Sequence, residues 1–265
     1  MVFYSIADCL FYITLYSCLS RKYHIRTNAF SLMPNHTHSQ QVVVSRQVFT
    51  AFNQELLSLF TRGYNIQHGR SGELFQKPFG SAPKIGGKSI KNNLSYINNN
   101  EAAGKLSKGV LDYRWNLMAY YDTDYPFSEK IVLNQASKRM RWAMRYVIEL
   151  HGKNRPLDYR IQAMLFKGLN AKERKQLIDF IVVQYNFLDY SAITKHFGSF
   201  ERALIAMDAN TGSEYDIIEE WEDYSVFRSM ERNSLHRIIR LLRRVTRDKK
   251  IIRQFLHLDY PTKHR

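Results

Sequence analysis

Residues 24–44 read HIRTNAFSLMPNHTHSQQVVV. Two runs in it, HIRTNAFSLM (24–33) and HTHSQQVVV (36–44), are rich in β-branched residues and are interrupted by Pro34-Asn35, a pattern that predicts two β-strands. In a strand, residues i and i+2 point to the same face, so His36 and His38 present two imidazoles to one side. They are either two ligands of one divalent ion, completed from another element, or two ordinary strand histidines facing solvent or hydrogen-bonded. The pair alone does not separate these readings, because nine histidines in a chain of this length give roughly 0.3 such pairs by chance.

Around this stretch the pattern is helical. Residues 3–21 predict a helix, and 46–62 another, with Phe49, Phe52, Leu56, Leu57 and Phe60 at helical spacing. YNIQHGRSGELFQKPFGSAPKIGGK (64–88) is punctuated by Gly, Pro and Ser and predicts a surface ribbon. Residues 88–104 return to helix. The chain changes character near residue 128, so two regions are expected: 1–128, mixed α and β, and 129–265, helical throughout. In the second, Ser137 predicts a helix cap, Asn170 with Glu173 a capping box, Ser199 another cap, and Ser213 with Asp216 one more helix start. Residues 234–257 are amphipathic and basic, with Arg237, Arg240, Arg243 and Arg244 beside a Leu/Ile/Val stripe. That helix is either a solvated face or a contact to nucleic-acid phosphates.

The charge points to partners. The chain of 265 residues has a net charge of +15, and residues 1–109 hold 12 Lys and Arg against 4 Asp and Glu. Nucleic acid or an anionic membrane surface suits such an excess. The one long apolar stretch, 1–19, contains Asp8 and is followed rather than preceded by Arg21 and Lys22, which argues against a signal peptide or a spanning helix. Cys9 and Cys18 suggest neither a disulfide framework nor a zinc cluster, so a reducing cytoplasm is expected.

In NNLSYINNNEAAGKL (92–106), Tyr96 and Asn100 stand four residues apart on one helical face. A tyrosine that attacks phosphorus needs a polarised electrophile and a lowered cost of forming phenolate. An ion held by His36, His38 and the Asn100 amide oxygen would supply both, and mixed imidazole and oxygen ligands suit Mg²⁺ or Mn²⁺.

These residues together resemble the single-tyrosine HUH transposases, those of bacterial insertion sequences and the REP-associated tyrosine transposases. MPNHTH (33–38) is similar to their MPNH-x-H motif, YN…GRSGELFQKPFGS (64–81) to the ribbon after their second helix, SYINNNEAAGKL (95–106) to their tyrosine helix, and DYRWNLMAYY (112–121) to the segment that follows it. The resemblance covers roughly residues 3–125. It implies a ferredoxin-like antiparallel sheet with helices on one face, the histidines on a central strand, and Tyr96 as the nucleophile. His36, His38 and Asn100 would be the metal ligands. It also implies cleavage and rejoining of single-stranded or hairpin DNA through a 5′-phosphotyrosine, in the cytoplasm and on the nucleoid, with a homodimer as one option and no membrane partner. Arg70, Lys77, Lys84, Lys88 and Lys91, with the four C-terminal arginines, are the expected DNA contacts. The alternative is a domesticated or inactive relative that binds DNA without cutting it; an RNA-binding module on the same scaffold is a third class.

The chain departs from the family's pattern at Thr37, in place of a bulky hydrophobe, at Glu101 in place of proline, and at Pro78 in place of arginine. It also begins where the family's first helix begins, without the preceding central strand. The expectation is that the reading frame extends upstream, or that another segment or protomer fills the gap.

Overall fold

The computed structural model describes residues 2–75 and 79–208. Among them the chain is α+β: α1 (Ile6–Tyr23), β1 (Arg26–Leu32), β2 (Thr37–Val42), α2 (Arg46–His68), α3 (Gly87–Ala103), α4 (Lys138–Gly152), α5 (Tyr159–Phe166), α6 (Ala171–Gln184), α7 (Tyr190–Phe197) and α8 (Phe200–Asp208). Short 3₁₀ turns occupy Val110–Asp112 and Leu117–Tyr120. Lys77, Pro78 and the expected helices after Ser213, including Arg237, Arg240, Arg243 and Arg244, lie outside the described residues.

The two strands pair antiparallel, with Leu32 opposite Thr37, Ser31 opposite His38 and Ala29 opposite Gln40. Met33 N donates to His36 O across Pro34-Asn35, so that dipeptide forms the turn. The sheet has two strands and is covered on both faces, which departs from a sheet with helices on one face. On one side, Tyr12 Oη meets Thr37 Oγ1 at 3.2 Å, and Tyr16 bonds Thr27 at 3.1 Å and Gln41 at 2.8 Å, placing α1 there. On the other side, Ala29 packs with Leu94 and Ile97 of α3. A bulge between Thr27 and Ala29 lets these neighbours of one strand serve opposite faces.

α1 is the central element. A Ser5/Asp8 capping box starts it, and every residue from Asp8 to Ser20 is buried. Apolar residues all round a helix mean burial on all sides, and packing against α2, α5 and α6 supplies it. Cys9 and Cys18 are buried free thiols. No described helix is long and apolar enough to cross a membrane.

β1 is not left with a bare second edge. Ser31 forms an antiparallel bridge with Asn116, and Thr27 a parallel one with Leu188. Asp189 N donates to Thr27 O at 2.8 Å. Two distant segments of the same chain thus cover this edge, each by a single isolated bridge. β2, the histidine strand, pairs with β1 alone among the described residues, rather than lying centrally.

The change of character at residue 128 is not a boundary in space. Val2–Phe79 and Lys84–Asp208, so far as described, belong to one compact unit. The physical reason is a shared core: Tyr16 and Phe30 pack against Phe187, with ring centroids 4.2 and 4.9 Å away. Asp179 of α6 accepts from Arg114, from Tyr120 Oη and from Phe127 N, which fastens the 110–128 segment to the later helices.

Candidate active site

The hairpin and α3 build the site. α3 lies across the face of the sheet that carries Ala29, His38 and Gln40; Gln40 Nε2 donates to Asn93 Oδ1 at 2.9 Å and to Ile90 O at 3.3 Å. That fixes the helix over the strand and brings the Tyr96 ring to 5.9 Å from the His38 ring, edge to face. His36, just before β2, and His38 point the same way, as the two-residue period requires. Their Nε2 atoms are 2.9 Å apart. Two imidazoles at right angles on one ion, each about 2.1 Å from it, would place those atoms about 3.0 Å apart. The separation is that of two ligands on one ion and equally that of an N–H···N hydrogen bond between the rings.

Asn35 orients the first ring. Its Oδ1 lies 2.7 Å from His36 Nδ1. An amide oxygen only accepts, so Nδ1 carries the hydrogen and Nε2 presents its lone pair to the site. With neutral rings, His38 Nε2–H then donates to His36 Nε2. The sequence reading missed Asn35, although its position in the turn immediately before His36 was the available signal.

Asn100 sits one helical turn beyond Tyr96. Its backbone oxygen accepts from Gly104 N at 2.8 Å, and its side-chain Nδ2 is buried with no hydrogen-bond partner. That nitrogen is a donor, which a cation would not meet, so the orphan does not bear on a metal; a ligand here would have to be the side-chain oxygen. No cluster of three or more His, Cys, Asp or Glu able to hold a metal occurs among the described residues, so a third protein ligand would have to be a neutral oxygen such as that of Asn100.

Glu101, read from the sequence only as a departure from the family's proline, has a structural role. Instead of ending the helix face as proline would, it turns inward and is fully buried, with Asn116 Nδ2 3.3 Å from its Oε2. Burial pushes its carboxyl up to about 7, opposed by the Asn116 amide. Asn116 also donates to Asn98 O at 2.9 Å. Glu101 and Asn116 thus tie the tyrosine helix to the segment that covers the β1 edge. Thr37 is equally well accounted for, since its hydroxyl pairs with Tyr12.

The expected DNA contacts are spread out. Arg70 is exposed at the end of α2, its guanidinium 5.9 Å from the Tyr64 ring centre. Lys88 is exposed in the first turn of α3, Lys84 is half-buried, and Lys91 is exposed with Nζ 5.8 Å from the Phe197 ring centre.

No family model, curated protein or solved structure matches the chain.

Proposed function

We propose that this protein is a metal-dependent endonuclease and strand transferase for single-stranded DNA, a transposase-like HUH enzyme, with Tyr96 as nucleophile. One observation supports it above the rest: His36 and His38 converge at 2.9 Å between Nε2 atoms on the face where α3 presents Tyr96. On this reading the β1–β2 hairpin and α3 correspond to the nuclease heart of the ferredoxin-like scaffold. His36, His38 and Asn100 would hold Mg²⁺ or Mn²⁺, which when bound polarises the scissile phosphate and lowers the cost of phenolate. Tyr96 Oη attacks phosphorus and the bond to the 3′-oxygen breaks. The phenolic proton passes to solvent, and the departing oxygen takes one up to become a free 3′-OH. The 5′-phosphotyrosine conserves the bond, so a second 3′-OH reverses the step and rejoins an end without ATP.

The non-catalytic reading, a DNA-binding relative, is favoured by a separate observation: among the described residues no third His, Cys, Asp or Glu joins the histidine pair. One experiment divides the two. End-labelled single-stranded hairpin DNA carrying the element's terminus is incubated with full-length protein and Mn²⁺, then run on a denaturing gel. A covalent adduct is expected from the unmutated protein, and none from Tyr96→Phe, which should still bind DNA. His36→Ala and His38→Ala should lose at least 100-fold in adduct formation, a loss of order 3 kcal/mol in the barrier. Adduct retained by Tyr96→Phe would move the nucleophile elsewhere; no adduct from the unmutated protein would leave the binding-only account.

A further inference from the structure

We propose that the outward face of α4 is a second contact surface for single-stranded DNA, separate in its residues from the histidine–tyrosine site. The proposal rests on the reading of the protein as one that handles single strands. α4 turns Met140, Ala143, Val147 and Leu150 inward and packs on α6. Its other side carries Lys138, Arg141 and Arg145 at spacings of three and four, spanning about 10 Å of helix axis, with Arg139 beside them. None of these four cations forms an ion pair among the described residues. The one carboxylate of the helix, Glu149, is taken by Lys153 at 2.5 Å. Like charges a turn apart repel, so this face lacks an internal counter-anion and suits an external polyanion.

Between the cations stand two rings. Trp142 and Tyr146 stack at 5.3 Å between centroids and 15° between planes, and both are half-buried. The Arg139 guanidinium lies 4.0 Å from the Trp142 ring centre and is held there by bonds to the carbonyls of Lys167 and Met164. Arg141 is held by Leu133 O at 3.3 Å. The aromatic platform is therefore fixed in place, whereas Lys138 and Arg145, both exposed, have no side-chain hydrogen bond within the described residues. Stacking rings beside cations is the chemistry of sequence-tolerant single-strand binding, since each base offers a π-face and each nucleotide a phosphate. A duplex hides those faces, so the surface selects single strands.

The test uses the full chain. Binding of a fluorescent oligo-dT is measured by anisotropy from 50 to 300 mM salt for the unmutated protein, for Lys138→Gln/Arg145→Gln, and for Trp142→Leu. The charge variant should flatten the slope of log K against log salt by about 1.4, the loss of two single-strand phosphate contacts. Trp142→Leu should weaken binding about tenfold or more with the slope retained. Melting curves confirm that each variant is folded; the charge variant alters only exposed side chains and decides the matter if Trp142→Leu does not fold. An unchanged slope and affinity in the charge variant overturns the proposal, as does an equal loss on duplex DNA or a preference for RNA over DNA. Adduct formation on the hairpin substrate is followed in parallel. A flattened slope without any adduct keeps the surface and removes the nuclease reading; an adduct with an unchanged slope does the reverse.

Discussion

Asp8 is a carboxylate with no exposed surface, and its partners explain how the fold tolerates it. Its Oδ1 accepts from His68 Nε2 at 2.8 Å and from Tyr159 Oη at 2.7 Å, while Oδ2 accepts from Ser5 N at 2.9 Å and Ser5 Oγ at 2.8 Å. Burial raises the pKa of this carboxyl, but the hydrogen bonds from His68, Tyr159 and Ser5 outweigh it and hold the group below its ordinary value of 3.8. The folded value lies below the unfolded one, so the stabilisation from Asp8 is complete above pH 3.8 and is lost as pH falls through the folded value. Asp8→Asn keeps the shape but removes the charge and turns one acceptor oxygen into a donor, so two of the four hydrogen bonds lose their acceptor; it should cost at least about 2 kcal/mol at pH 7. Urea melts of both proteins should show that difference nearly constant from pH 8 to 5 and shrinking below 3.8. A gap that persists unchanged into acid would mean that the charge of Asp8 is not what stabilises the cluster.

The packing of α1 on α2 depends on Gly63. A Cβ built there would stand 2.6 Å from Phe11 Cε1 and 2.9 Å from Cζ. Phe11 has little room to yield, being stacked on Phe60 at 5.6 Å and tilted against Tyr159 at 5.2 Å. Gly63→Ala gains about 1 kcal/mol of helix propensity, and overpacking costs about 1–3. Net destabilisation is expected in thermal melts, and Phe11→Leu should relieve it in a double-mutant cycle. If the alanine variant is simply more stable, the contact is looser than the geometry states. The same elements show what the sequence made legible. Ser137, Asn170 with Glu173, and Ser199 announce helix starts because one side chain and one backbone N–H make each cap, and all three caps are present. The two strands were legible from their β-branched residues and the Pro34-Asn35 break between them, and the resemblance grouped His36, His38 and Tyr96. The far end of α2 was not: the Tyr64–His68 turn reads as ribbon, yet it continues the helix until Gly69 at φ 59. The cover of the β1 edge was illegible for another reason. Asn116 and Leu188 contribute one bridge each, and a single residue leaves no period to detect.

At the scale of the whole molecule, the step in composition near residue 128 suggests a nuclease domain with an appended helical region, whereas the described core is continuous across it. α1 is the reason. Its Thr14 Oγ1 accepts from Leu157 N at 3.0 Å, its Cys18 carbonyl from Asn154 Nδ2 at 3.1 Å, and its Ala7 carbonyl from Gln162 Nε2 at 3.1 Å. These are buried or half-buried bonds from a helix whose apolar surface has no solvent side, so removing the later helices would expose both apolar area and unpaired acceptors. Phe187 would also leave its place against Tyr16 and Phe30, beneath the hairpin that holds the histidines. Residues 1–128 expressed alone should therefore show no cooperative thermal transition and should bind a hydrophobic dye. Mixing with the 129–265 fragment should restore a transition, because the missing contacts are non-covalent. Circular dichroism melts of each fragment and of the mixture give the answer. A cooperative melt of 1–128 by itself would establish that the hairpin and α3 form an independent domain, and that the later helices only lean against it.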